Sequence, residues 1–241
     1  MKKISLLTLT CLILTTLVSF SPKKKEQRLL VFARTVKFHH ASIAAGLIAM
    51  QKLGAENHFL VDTTTDASFF TDKNLKKYAA VLFLSTTGDV LNDEQQAAFE
   101  RFIRSGKGFM GIHAATDTEY DWPWYNQLVG AYFLNHPKQQ EAVLRVVDRN
   151  NIATKHLPAE WKRFDEWYNF KNIQEGLHVL ITIDEKSYQG GKNGDNHPMA
   201  WYHDFDGGRA FYTEMGHTDE SFSDPLYLEH VLGGLQYVMA K

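Results

Sequence analysis

Residues 108–115, with the sequence GFMGIHAA, join an apolar strand to a histidine in a tight turn, and they are the most informative stretch for the fold. Residues 108–112 show no alternation of polar and apolar side chains, which is typical of a strand buried on both faces of a parallel sheet. Small neighbours allow the backbone at His113 to turn sharply and expose the ring, as in a nucleophile elbow. Histidine is a poor lasting nucleophile but a good base or ligand. The alternative is a plain strand-to-helix connection in which His113 caps the helix.

Apolar strands of this kind alternate with helical patterns through the first half of the chain. The predicted strands cover residues 29–33, 58–61, 79–84 and 108–112. The predicted helices cover residues 42–53, 72–78 and 95–104. Strands and helices that alternate through short loops favour a doubly wound, flavodoxin-like α/β fold, with a mostly parallel sheet and helices on both of its faces.

The second half of the chain has a different pattern. Two strands are predicted over residues 141–147 and 179–183, and a closing helix over residues 226–239. Residues 199–203 and 209–213 flank Asp206-Gly207-Gly208, which is a strong signal for an antiparallel hairpin. We therefore expect a mixed sheet with a C-terminal antiparallel hairpin, in a single domain over residues 28–241.

The first 27 residues stand apart from this domain. Lys2 and Lys3 precede an apolar stretch over residues 4–20, and polar residues follow it. This order is typical of a secretory leader. We expect a signal peptide over residues 1–21, a short polar linker over residues 22–27, and a periplasmic or secreted mature protein. The alternative is an uncleaved inner-membrane anchor, since the stretch is at the short limit for spanning a bilayer.

Composition excludes several classes of function. With 26 Lys and Arg against 28 Asp and Glu, the net charge is −2, whereas a sequence-independent nucleic-acid binder needs a basic face. The one cysteine, Cys11, lies in the expected leader. The mature chain would therefore have no disulfide, no cysteine-ligated metal and no cysteine nucleophile. We expect contact with a membrane only if the leader remains uncleaved.

Histidines follow three of the predicted strands. His39 and His40 follow the first strand, His113 follows the fourth, and His217 follows the second strand of the hairpin. Ligands of open α/β sheets bind beyond the carboxyl ends of the strands, so we expect these rings at one edge. Neutral imidazoles with a carboxylate suit zinc or a similar divalent metal, and histidine also suits acid–base catalysis. Spacing alone leaves open a structural role for each ring, and a choice between His39 and His40.

Other polar residues at strand ends are candidates for binding a substrate. Thr35, Thr87 and Asp117 follow three of the strands, and Arg209 lies in the hairpin. Residues 190–192 (GGK) resemble a phosphate-binding loop but do not lead from a strand into a helix. We therefore expect no nucleotide cofactor, and we interpret residues 187–196 as a mobile surface loop.

Two aromatic clusters suggest a carbohydrate ligand. Residues 165–170 (DEWYNF) combine two carboxylates with rings that include Trp167, and residues 122–125 (WPWY) include Trp124 and Tyr125. Sugar faces pack on aromatic rings while carboxylates bind hydroxyl groups, so we expect these three aromatic side chains to bind a small sugar or oligosaccharide. The alternatives are a strand with alternating buried rings for the first cluster and packing in the core for the second.

Seven short motifs, in order, resemble the trehalose-utilisation (ThuA-like) family over essentially the whole chain after the expected leader. They are FHH at residues 38–40 with SI at 42–43, GIHAA at 111–115, NHP at 135–137, DEWY at 165–168, PMAW at 198–201, GRAFY at 208–212 and GHT at 216–218. The resemblance implies a class I glutamine amidotransferase-like fold. It implies no amidotransferase activity, because amidotransferases carry cysteine at the elbow where this chain has His113.

The resemblance also implies a role in the breakdown of sugars, notably disaccharides oxidised at carbon 3. It carries over His40, His113 and His217 as residues at the sheet edge, with Glu166 as the nearby carboxylate. The expected leader departs from the cytoplasmic members of the family and suggests glycan processing outside the inner membrane.

We therefore expect an enzyme that cleaves 3-keto-glycosides by base-assisted elimination or hydrolysis. His113, His217 and Glu166 are the expected catalytic residues, and His40, His113 and His217 are the candidate ligands of a divalent metal. A non-catalytic carbohydrate-binding module and a metal-dependent hydrolase of another ester or amide remain the alternatives.

Overall fold

The computed structural model describes residues 26–240. The expected signal peptide and the first four residues of the expected linker lie outside the described residues. Within residues 26–240, no helix combines the length and the apolar character needed to cross a membrane.

A mixed sheet of nine strands forms the centre of the fold, in the order β2-β1-β3-β4-β11-β10-β9-β6-β7, and β5 and β8 form a separate pair. The strands are β1 (Gln27–Phe32), β2 (Phe59–Thr64), β3 (Ala80–Leu84), β4 (Gly108–Ile112), β5 (Tyr132–Asn135), β6 (Gln140–Val146), β7 (Glu160–Asp165), β8 (Asn169–Lys171), β9 (His178–Ile183), β10 (Pro198–Phe205) and β11 (Gly208–Thr213). The helices are α1 (Ile43–Glu56), α2 (Asp72–Leu75), α3 (Asp93–Arg104), α4 (Pro123–Val129) and α5 (Pro225–Met239).

Strands β2, β1, β3, β4 and β11 run parallel to one another. Every residue of β3 and β4 is buried, because both faces of these strands are covered. The unbroken apolar runs in the sequence therefore identified the parallel part of the sheet correctly. The carboxyl ends of these strands meet at one edge, which we call the carboxyl edge, and the opposite side is the amino edge.

The hairpin β10–β11 confirms the predicted antiparallel turn. Phe205 pairs with Gly208, so Asp206 and Gly207 form a two-residue turn. Both turn residues have positive φ, 48° and 87°, which is the condition for the turn type that matches the twist of the flanking strands. Strands β9, β6 and β7 continue the sheet in antiparallel pairs beyond β10.

The inward face of the outer strand β7 packs against helix α5. Its burial alternates, with Trp161, Arg163 and Asp165 facing inwards. The Arg163 guanidinium lies 4.5 Å from the centre of the Trp161 ring and 5.1 Å from that of Tyr227 on α5. Four successive antiparallel pairings give β7 the direction of β11, so β7 ends at the carboxyl edge although it is the last strand in the order of the sheet.

Several local elements differ from the sequence prediction. The run DEWYNF is not one strand, because β7 ends at Asp165 and β8 begins at Asn169. Helix α4 and strands β5, β7 and β8 were not predicted, and α2 is shorter than expected. The prediction of a mobile loop over residues 187–196 is at odds with the hydrogen bonds found there, because the amides of Asn193 and Gly194 both donate to Glu185 Oε1.

Candidate metal-binding and catalytic site

His113 occupies a strained turn directly after β4. Its φ is 50°, which is uncommon for a residue other than glycine, and a short 3₁₀ helix begins there. Strain of this kind persists where the surrounding structure enforces it. The hydroxyl of Tyr212 donates to the backbone carbonyl of His113 at 2.7 Å and so helps to hold the turn. The expected elbow backbone is present, but the ring is 0% exposed instead of standing clear of the surface.

The Nε2 atom of His113 faces the other site residues, because Nδ1 is bound on the opposite side of the ring. The Nδ1 atom lies 2.8 Å from the backbone carbonyl oxygen of Glu214. A carbonyl only accepts hydrogen bonds, so Nδ1 carries the hydrogen and Nε2 presents a lone pair. This arrangement is typical of histidines that ligate metals, whose other nitrogen donates to a carbonyl or carboxylate.

His217 and Glu166 complete a tight group around that lone pair. His217 Nδ1 lies 3.1 Å from His113 Nε2 and 3.1 Å from Glu166 Oε2. Glu166 Oε2 is 3.6 Å from His113 Nε2. The loop after β11 and the segment after β7 therefore bring one imidazole and one carboxylate to the same point.

His40, and not His39, is the histidine of the first strand that joins this group. The His40 ring centre lies 4.8 Å from that of His113 and 5.2 Å from that of His217. Its Nδ1 is buried and has no hydrogen-bond partner among the described residues. His39 is exposed, and its Nδ1 lies 3.1 Å from Thr35 Oγ1.

Burial and neighbouring charges favour the neutral form of His40 and the anionic form of Glu166, which are the forms that bind a cation. Burial lowers the pKa of His40 well below its usual range, and the nearby His113 and His217 lower it further. Burial raises the pKa of Glu166, but the neighbouring His113 and His217 rings lower it by more, so the pKa of Glu166 falls overall. Burial likewise lowers the pKa of His217, but the hydrogen bond to Glu166 and its charge raise it overall. The cluster thus contains a neutral imidazole at His40 and an anionic carboxylate.

The donor set fits a divalent metal such as zinc. One ligand atom from each of His40, His113, Glu166 and His217 lies within 4.8 Å of every other. Nitrogen and oxygen ligands of tetrahedral zinc lie about 2.0–2.2 Å from the metal, which places them roughly 3.4 Å from one another. The distances of 3.1, 3.1 and 3.6 Å among His113, His217 and Glu166 are close to that spacing. The unpartnered Nδ1 of His40 is the kind of buried atom that a metal would satisfy.

Asp165 positions two of the four cluster residues. Its carboxylate accepts hydrogen bonds from the backbone amides of Glu166, Gly216 and His217 at 3.0, 3.2 and 3.1 Å. The hydroxyl of Ser221 donates to it at 3.1 Å, and Arg163 lies 3.8 Å away. The position of Asp165 in the DEWYNF run predicted a sugar-binding carboxylate, but the residue is fully buried and bonds to the backbone of the site.

Two residues of the loop between β5 and β6 also reach the cluster. His136 Nδ1 lies 3.1 Å from Glu166 Oε1, and the Gln139 amide nitrogen lies 2.7 Å from His217 Nε2. Neither was assigned from the sequence, since His136 follows a strand that was not predicted. The NHP motif at residues 135–137 was the signal that could have identified His136.

The structure places the remaining predicted binding residues in two groups. Thr35, His39 and Asp117 lie near the carboxyl edge, and the hydroxyl of Tyr120 donates to Asp117 at 2.7 Å. Thr87 also lies there, but its side chain is fully buried and holds the loop that precedes His40. A role in substrate binding stays a prediction for the first three of these residues.

The side chains of the other group are engaged in packing and hydrogen bonds within the fold, which corrects the expectation that they line a sugar pocket. Tyr125 and Trp167 are fully buried, with Tyr125 packed against Phe83 and Trp167 bonded to the carbonyl of Gln140. Trp124 donates to Asp206 in the hairpin turn, and Arg209 donates to the carbonyl of Ala240. Asp206 and Arg209 lie at the amino edge, because β11 begins there. Composition did not distinguish these rings from a binding surface.

The chain belongs to the ThuA family, because the family model described as trehalose utilisation matches residues 28–238. A ThuA-like protein from Bacteroides uniformis has a similar fold, with a TM-score of 0.75 at 23% identity over 91% of this chain and 95% of that chain. A ThuA-like protein from Parabacteroides merdae gives 0.74 at 19% identity over 90% and 91%. PurLQS from Thermotoga maritima gives 0.55 at 12% identity over 88% and 99%. The chain thus has a glutamine amidotransferase-like fold. No curated protein sequence matches it.

Proposed function

We propose that this ThuA-family protein cleaves 3-keto-glycosides at the cluster formed by His40, His113, Glu166 and His217. One observation carries the proposal: three imidazoles and one carboxylate converge within 4.8 Å at the carboxyl edge, where ligands of this fold class bind. The family description, trehalose utilisation, supports a sugar as the substrate class.

The chemistry needs a base and a partner for a ketone oxygen. A ketone at carbon 3 acidifies the hydrogen on carbon 2, so a base can remove that proton while the group on carbon 1 departs with the bonding electrons. The protonated base gives that proton to the departing oxygen, so the group on carbon 1 leaves as an alcohol. Water then adds across the new double bond, returning a proton to carbon 2 and a hydroxyl to carbon 1. The net result is hydrolysis of the glycosidic bond.

A divalent metal held by the four cluster residues would supply Lewis-acid polarisation of the ketone oxygen. Full burial of His113 favours a ligand role over direct contact with the substrate. The base is then His136, which is exposed and lies 3.1 Å from Glu166 Oε1. A carboxylate beside a histidine orients the ring and stabilises the imidazolium that forms on proton transfer.

The neighbouring histidines His40 and His39 provide a matched test. His40→Ala removes a cluster ligand, so bound zinc and turnover of a 3-keto disaccharide should both fall, turnover by about a hundredfold or more. His39→Ala removes an exposed ring outside the cluster and should leave bound zinc within about twofold of the wild type. Metal analysis and steady-state kinetics on both variants give the result. Equal effects of the two substitutions would contradict the assignment.

His136→Ala separates the base from the ligands in the same assays. Metal content should stay at the wild-type level, while kcat falls by roughly 10²–10⁴-fold, the usual effect of losing a positioned acid–base group. A wild-type protein that binds oxidised sugars and never turns them over, with zinc, manganese or magnesium present, would instead favour the carbohydrate-binding module. Turnover of a simple ester without turnover of the keto-sugar would favour the metal-dependent hydrolase.

A further inference from the structure

Phe38 is a large apolar side chain that the fold leaves in solvent beside the cluster. It is 63% exposed, the highest value among the exposed aromatic residues of the described chain. Its ring centre lies 4.8 Å from that of His40, with the two planes nearly perpendicular at 79°. Phe38 therefore extends the site outwards from a cluster residue.

The backbone of Phe38 is fixed, although its side chain is exposed. Thr87 Oγ1 donates to the carbonyl of Phe38 at 2.8 Å and accepts from the amide of Lys37 at 3.3 Å. The amide of Val36 donates to the Thr87 carbonyl at 2.8 Å. Gly88 adjoins this loop so closely that a Cβ there would lie 3.2 Å from Val36 Cβ. The ring is thus presented on a rigid segment, which lowers the entropy lost when a ligand packs against it.

We propose that Phe38 is the platform for the second sugar ring of the substrate, the pyranose attached to the one that reacts. The apolar C–H face of a pyranose packs on the electron-rich face of an aromatic ring. The reacting ring lies at the cluster, and Phe38 adjoins His40 on the outer side, where an attached sugar would extend. This proposal rests on the proposed function for the position of the reacting ring, and it defines the substrate class as oligosaccharides with a pyranose leaving group.

The test compares a 3-keto disaccharide with a methyl 3-keto-glycoside, which has no second ring. Phe38→Ala should raise KM for the disaccharide by about tenfold or more, with kcat within about twofold, because the platform binds ground state and transition state alike. KM for the methyl glycoside should not change, and Phe38→Tyr should restore KM for the disaccharide. Phe164→Ala is the control, since Phe164 is 56% exposed on β7. Equal KM changes for both substrates would overturn the proposal.

A second measurement keeps the platform separate from the proposed reaction. If the wild type turns over neither keto-sugar, the proposed function fails, and saturation-transfer NMR with the unoxidised disaccharide then decides the platform. Saturation transfer to the disaccharide that is lost in Phe38→Ala and kept in Phe164→Ala supports the role of Phe38 as a platform. Equal saturation transfer in both variants overturns that role. A change in oligomeric state on Phe38→Ala, with KM and transfer unchanged, would assign the exposed ring to contact between copies of this chain and also overturn it.

Discussion

At the carboxyl edge of the sheet the polar side chains around His113 are buried, whereas at the amino edge the charged pair around Asp206 is open to solvent. His113 and Glu214 are fully buried at the first edge. Arg104 and Asp206 form an ion pair of 2.7 Å at the second edge, with side chains that are 48% and 31% exposed. Both edges combine aromatic rings with charges, since Trp124 donates to the same Asp206 carboxylate.

Burial distinguishes functional polar residues from purely structural ones better than residue type does. Exposed ion pairs contribute little to stability and need no special explanation. Buried polar atoms without partners cost free energy, and His40 Nδ1 and Glu214 Oε2 at the carboxyl edge are two such atoms. Such an atom beside a group of candidate metal ligands, as His40 Nδ1 is, is expected to serve that group.

The largest expected effect is that of Asp165→Asn at the carboxyl edge. Asparagine offers one acceptor oxygen in place of two and brings a donor towards three backbone amides. The free energy of unfolding should fall by about 3 kcal/mol, and affinity for zinc should fall by roughly 10–100-fold because His217 and Glu166 lose their support. Urea denaturation and zinc titration measure the two effects. If the unfolding free energy fell by less than about 1 kcal/mol and zinc affinity did not change, the carboxyl edge would be no more sensitive than the amino edge, and the comparison would be wrong.

The smallest expected effect is that of the equivalent change at the amino edge, Asp206→Asn. It weakens the ion pair with Arg104 and the hydrogen bond from Trp124, both in solvent. We expect a loss of about 0.5–1 kcal/mol in unfolding free energy and no change in zinc affinity. The same denaturation and titration experiments apply. A fall in zinc affinity would connect the amino edge to the site and contradict the comparison.

The two halves of the sheet also differ in how far the sequence predicted them. Fully buried parallel strands have a clear apolar pattern, which placed His113 at the carboxyl edge, and the hairpin signal placed His217 at the end of the neighbouring strand. Asp165 reaches the same edge because four antiparallel pairings give β7 the direction of β11, and no local sequence pattern encodes that strand order. Glu166 was named through the family resemblance for the same reason.

Aromatic residues were the weakest part of the prediction. Tyr125 and Trp167 are core residues, and Phe38 is exposed, yet all three belong to short polar–aromatic runs in the sequence. Whether a ring faces a core or solvent depends on packing between distant segments, such as the seating of the loop 36–40 on Thr87 and Gly88. Composition contains no information about that packing.

The hydrogen bonds of Glu185 make the exchange of two backbone amide protons a measure of local opening. His197 Nδ1 lies 2.8 Å from Glu185 Oε1, and its Nε2 lies 2.8 Å from the carbonyl oxygen of Tyr168, whose ring centre is 4.4 Å from that of His113. The amide protons of Asn193 and Gly194 point at the same carboxylate oxygen, so they exchange with solvent only when this contact opens. The exchange rates of these two amides therefore report how often the Glu185 carboxylate, which also lies against His197, releases the segment at residues 193–194.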